Sequence, residues 1–178
     1  MVSAIIAIHN QAPVLARMFA PLITAVAEGL VKDVVLADQG SSDDGREIAE
    51  AAGCRIVDCA GRDPFLAGSE AARGDYFLLL KAGAILQADW IGETTRFMQR
   101  ADARERVASF RVLYEAEDAR LAQWAAWLER DVLKRPSPRH GAVLSRAAYE
   151  SLGGGVFAMP GWRRSFPLRA SLLYERAN

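Results

Sequence analysis

Apolar residues in this chain come in short runs divided by polar turns, and the runs alternate with stretches of helical period. Residues 2–8, VSAIIAI, are apolar almost throughout, the mark of a strand covered on both faces. The turn His9-Asn10-Gln11-Ala12-Pro13 leads into a predicted helix over 14–28, ended near Gly29. A second strand is predicted at 34–37. Ser42 or Asp43 is placed to cap the next helix, with Glu47 completing a capping box from a start near Asp44. That helix carries Ile48, Ala49 and Ala52 and stops at Gly53; residues 55–58 form a short third strand. A brief helix at 69–72 and a strand at 76–80 follow. Alternation of this kind predicts an α/β fold with a doubly wound, mostly parallel sheet.

Further along, 89–104 reads as helix, 107–114 as strand and 118–134 as a long helix with Leu121, Trp124, Ala125, Leu128 and Val132 on one face. Its tryptophans suggest a membrane surface, but 115–135 holds five acids and four bases rather than a basic face. Core packing, or a homodimer contact through the Trp124/Trp127 helix, is the expectation. Lys134-Arg135-Pro136-Ser137-Pro138 is the clearest break. A strand at 142–144 and a helix at 146–152 precede the triple glycine 153–155, and the last twenty residues show no strong period.

At 178 residues the chain suits one domain, and 22 Lys+Arg against 22 Asp+Glu gives no reason to expect a nucleic-acid partner. The charge is unevenly spread: from Arg139 onward six arginines face only Glu150 and Glu175, so this quarter could meet a diphosphate. Cys54 and Cys59 are too few for a disulfide framework or a zinc site. No run approaches the ~18 apolar residues of a membrane span, and no basic leader precedes the first strand, so a cytoplasmic protein is expected.

The segment 34–45, VVLADQGSSDDG, delivers Asp38 to a loop at the sheet's carboxyl edge, where open α/β folds bind ligands. With His9-Asn10-Gln11, Ala72-Arg73-Gly74-Asp75-Tyr76, Trp90-Ile91 and the series Gly141, Arg146, Tyr149, Leu152-Gly153-Gly154, it resembles the family 2 glycosyltransferases. The resemblance implies a single GT-A type domain, with 1–100 as the nucleotide half and 101–178 as the acceptor half. It implies a nucleotide-sugar donor (UDP-, GDP- or CDP-linked), with Asp38 at the base and His9, Asn10 and Gln39 around it.

One departure matters as much. Where that family carries a metal-binding Asp-x-Asp, this chain has Lys81-Ala82-Gly83, and no acid follows Gly155 until Glu175. Two readings follow. In one, Lys81 stands in for the metal, Arg163 and Arg164 clamp the phosphates, His140 is the general base, and no divalent metal or other cofactor is expected. Lysine is a compact point charge suited to phosphate. In the other, the domain is catalytically degenerate and binds a nucleotide or a protein. A nucleotidyltransferase is a third class, but the loop after the first strand has neither the glycine nor the cation it would need.

Overall fold

The computed structural model describes residues 1–115, 119–133, 137–153 and 165–174. The chain divides into two compact units, residues 1–83 and 84–178.

The first unit contains β1 (Val2–Ile8), α1 (Ala12–Ala27), β2 (Val31–Asp38), α2 (Gly45–Ala51), β3 (Arg55–Asp58), α3 (Pro64–Ala71) and β4 (Tyr76–Lys81). Its strands lie in the order β3-β2-β1-β4, all parallel. Every residue of β1 is buried, because helices cover both faces. The chain steps outward from β1 to β2 to β3, then returns to the far side of β1 for β4. Right-handed crossovers therefore put α1 and α2 on one face and α3 on the other. That reversal creates a switch point between β1 and β4, and its crevice lies at the carboxyl ends of the strands.

Packing on the α3 face is close. A Cβ on Gly68 would run into the Ile5 side chain, and one on Gly74 would sit 2.6 Å from the backbone nitrogen of Ser3. The buried Ser3 hydroxyl accepts from the amides of Arg73 and Gly74, 3.1 and 2.7 Å away, and donates to Asp33. One small side chain thus joins the amino ends of β1, β2 and the segment entering β4.

The second unit contains β5 (Ala84–Leu86), α4 (Trp90–Met98), β6 (Val107–Tyr114), α5 (Arg120–Trp127), a π-helical turn (Leu128–Val132), a 3-10 turn (Pro138–His140), β7 (Ala142–Ser145), α6 (Arg146–Ser151) and β8 (Phe166–Tyr174). Its strands run β7-β6-β8-β5; β6 pairs parallel with β8, while the β6/β7 and β5/β8 pairs are antiparallel. Buried Glu93 accepts the Arg169 amide at 2.9 Å, and buried Arg130 donates to the Leu168 carbonyl at 3.0 Å, so both polar groups serve β8.

Several expectations are corrected. The final segment does hold a strand: Leu168, Ala170 and Leu172 are buried with Arg169 exposed between them. The helix predicted at 69–72 begins earlier, at Pro64, with the Asp63 side chain accepting the Leu66 amide at 2.9 Å. Trp124 and Trp127 are about half exposed rather than core residues. The homodimer contact through this helix is not supported. No described helix is long and apolar enough to cross a membrane.

Candidate functional site

The carboxyl edge of the first sheet gathers the exits of β1, β2 and β4. Parallel register places Ile8 beside Asp38, and Ala7 beside both Ala37 and Lys81. Side chains in register point to the same face, and successive ones alternate. Asp38 therefore faces the α1/α2 layer while Lys81 belongs to the α3 face. Both stand on one edge, but the pleat turns them apart.

Asp38 is 0% exposed. One carboxylate oxygen accepts the Ser41 amide at 2.9 Å, and the other accepts from the Arg46 guanidinium at 2.9 Å. Burial pushes this carboxyl up, but bonds from the Ser41 hydroxyl and amide and the charge of Arg46 outweigh it and hold the group below its ordinary value. Asp38 thus ties the Ser41 turn and Arg46 together from beneath the loop surface. Arg46 carried no sequence signal, since nothing in its spacing links it to a residue eight positions earlier.

The exposed groups above Asp38 are His9, Asn10, Gln39 and Ser42. They stand on two loops that hold one another. The Asn10 amide donates to the Ser41 hydroxyl at 3.0 Å, and the Asn10 side-chain oxygen accepts the Ser42 amide at 2.7 Å. Asn10 does this with φ at 53°, a left-handed conformation that asparagine tolerates better than most residues. Gly40, at φ 85°, provides the sharp turn after β2.

Asp43 finishes the clamp. It accepts the Ala12 amide at 2.8 Å and the Gly45 amide at 3.1 Å, putting one carboxylate at the amino ends of both α1 and α2. The expected capping residue is thus present, but it serves two helices. Asp44, the residue preceding α2, makes no side-chain cap. His9 donates from Nδ1 to the Gln39 carbonyl at 3.2 Å, which leaves Nε2 as an outward acceptor. The result is a firm ledge of donors and acceptors, suited to a base edge or ribose hydroxyls, with exposed Lys81 at the neighbouring strand exit.

His140 lies in the second unit and is buried. Its Nδ1 accepts the Ser137 amide at 3.1 Å and its Nε2 faces the Ala126 carbonyl at 3.0 Å. These partners assign the neutral Nε2–H tautomer. Burial depresses its pKa, and the carbonyl contacts only partly offset that. The general-base role expected for His140 is corrected: the ring joins the 3-10 turn to α5. Arg163 and Arg164 lie outside the described residues, as does the 154–164 segment. Cys59 is buried and Cys54 half-buried; burial raises both thiols, Cys54 to about 11, so both stay protonated at neutral pH.

Among the described residues, no group of three or more His, Cys, Asp or Glu side chains could hold a metal. At the end of β4 the chain offers Lys81-Ala82-Gly83, without the oxygen ligands a hard divalent cation prefers. The residues present there do not by themselves fit such an ion, and no step is assigned to one.

The sequence profile described as Glycosyl transferase family 2 matches residues 3–150. No curated protein matches the sequence significantly. Among solved structures, the chain is similar to glucosyl-3-phosphoglycerate synthase from Mycobacterium tuberculosis. Its complex with Mn2+, UDP-glucose and phosphoglyceric acid superposes with a TM-score of 0.65 at 16% identity, covering 100% of this chain and 72% of that one. Its complex with UDP alone gives 0.60 at 17% identity, with coverage of 100% and 72%. Its complex with phosphoglyceric acid gives 0.63 at 15% identity, covering 100% and 73%. The fold is therefore of the GT-A type, a mostly parallel sheet with helices. The Mn2+ beside UDP-glucose in that enzyme overturns the expectation that no divalent metal belongs with this protein.

Proposed function

The chain belongs to glycosyl transferase family 2, and on that premise we propose that it binds a nucleotide sugar, UDP-linked, and transfers the sugar to an acceptor. The observation that carries this reading is the clamped ledge at the β1 and β2 exits. His9 Nε2, the Asn10 and Gln39 side chains and the Ser42 hydroxyl are presented to solvent beside the β1/β4 switch point. A ligand landing there meets loops that are already ordered, so little entropy is lost on binding. The base and ribose rest on the ledge, and the diphosphate extends toward Lys81. The solved synthase holds UDP, which supports uridine over guanosine or cytidine.

The test is calorimetric titration of UDP, GDP, CDP and uridine in Mn2+ buffer, followed by assay of UDP release from UDP-glucose. Selective UDP binding with turnover supports transfer. Binding of none of the four sinks the donor reading.

One observation favours a second reading. The β4 exit carries a lysine and no carboxylate, so a domain that retains the nucleotide but lacks chemistry is consistent with it. UDP binding without release of UDP from any nucleotide sugar would select that reading.

A further inference from the structure

The first unit contains a second concavity. It is a groove of about 820 Å³ lined by α1 (Phe19, Leu22, Ile23, Val26) and by residues near the amino ends of β2, β3 and β4. Along β2, Asp33 is about 16 Å from Asp38, so this groove lies at the opposite edge of the sheet from the ledge.

Its apolar wall is one helical stripe divided in use. Phe19, Leu22, Ile23 and Val26 recur at the spacing of a single helix face. The first two are buried in the core, whereas Ile23 is 63% and Val26 48% exposed. The opposite wall is cationic, with Lys32, Arg55 and Arg73 lining it. Lys32 donates to the Arg73 carbonyl at 3.2 Å and Arg55 to the Ala71 carbonyl at 3.0 Å. Those acceptors are neutral, and each cation keeps further donors free.

Negative charge is present too. Asp33 lines the groove, with one oxygen bonded to Ser3 and the other buried without a partner. The carbonyl ends of α1 and α2 also reach the groove, each equivalent to roughly half a charge. Three full cations outweigh one carboxylate and two half charges by about one unit, and Asp75, which also interacts with Lys32, is itself paired with the Met1 ammonium at 3.2 Å. A volume of this size lies within the range of small-molecule sites.

We infer that this groove binds a free amphipathic anion, an apolar body ending in one carboxylate, sulfonate or phosphate, as a site separate from the nucleotide ledge. The apolar body covers Ile23 and Val26, and the anionic end meets Lys32 and Arg73. Burying the exposed lip supplies affinity, and the cations supply the preference for an anion over its neutral analogue.

The probe is 8-anilinonaphthalene-1-sulfonate, displaced by decanoate or by decanol, on protein whose fold is checked by urea denaturation. Decanoate is expected to displace it at least tenfold more effectively than decanol. Val26→Glu and the double variant Lys32→Glu/Arg73→Glu should each lower probe affinity about tenfold, with the urea midpoint retained. Equal displacement by the alcohol, or probe binding within twofold of the parent in both variants, overturns the inference. So does sedimentation with phosphatidylglycerol vesicles when decanoate fails to displace the probe, since a lipid surface is then the occupant. UDP titration of the same variants keeps this test apart from the donor reading: a lost groove with intact UDP binding, or the reverse, shows which has failed.

Discussion

Replacing Asp38 by Asn separates a structural carboxylate from a ligand-binding one. The change is nearly isosteric, and its oxygen can still accept the Ser41 amide that Asp38 accepts at 2.9 Å. What it removes is the charged acceptor for Arg46, also at 2.9 Å, and it turns an amide donor toward a guanidinium that only donates. Arg46 is 44% exposed in its side chain, so water recovers part of the loss. The full cost of breaking a buried pair, ~3–5 kcal/mol, therefore does not apply. A hydrogen bond to a charged group, ~1.5–3 kcal/mol, is the better measure, and the lower half of that range is expected. For a chain of this size, that is a fall in Tm of roughly 3–8 °C. The pH dependence has a definite sign. The folded carboxyl lies below its ordinary value of 3.8, so its contribution is complete above that value and is lost as pH falls through the folded pKa. Calorimetric melts at pH 7 and pH 3 should show the gap between parent and Asp38→Asn closing at the lower pH. The Arg46→Met change should cost less once Asn is in place. UDP affinity should stay within about fivefold. A variant with parental Tm that loses UDP binding a hundredfold would refute this account and return Asp38 to the ligand.

Other outcomes follow from single residues. Lys81→Ala should weaken UDP about five- to tenfold and leave uridine unchanged in calorimetric titration, because an exposed charge on phosphate is worth ~1 kcal/mol after screening. Gly74→Ala should cost about 3 kcal/mol in urea denaturation, since its Cβ meets the β1 backbone, which cannot move aside. Gly68→Ala should cost less, because its obstacle is the Ile5 side chain and alanine improves the helix. His140 has a depressed pKa, so its neutral form supports the fold above 6.5 and that support fades as pH falls below it. His140→Gln should flatten the decline of the urea midpoint between pH 6.5 and 5.

Local pattern carried the first unit's order of strands and helices because β1, β4 and the second half of β2 are buried apolar runs and glycines mark the ends of α1 and α2. It missed β8, where Pro167 and the pair Leu172-Leu173 obscure an alternation that is otherwise present. It shortened β2, because Lys32 and Asp33 look like turn residues. Their polarity is accommodated at the strand's start by exposure of Lys32 and by Ser3 reaching Asp33. At the site, sequence located the three strand exits but not the direction of the side chains. Which face Asp38 takes depends on its register against Ile8, and its neutraliser sits on a helix whose approach no local spacing encodes. His140 misled for the same reason: its partners are a carbonyl fourteen residues away and a turn it closes itself.

The edge divides its polar groups by burial. Asp38 and Asp43 spend their charge inside the protein, one on Arg46 and an amide, the other on the amides that open α1 and α2. These bonds hold the ledge still. The exposed groups His9, Asn10, Gln39 and Ser42 are hydrogen-bonding side chains, which suit recognition by shape and hydrogen-bond pattern. On the proposed reading, charge recognition at this carboxyl edge falls on Lys81 at the β4 exit. If the proposed reading holds, selectivity for a base and attraction for a phosphate lie on different strands and are separable by mutation. Changes at His9 or Gln39 should alter which nucleoside binds, whereas changes at Lys81 should alter only how much the phosphates add.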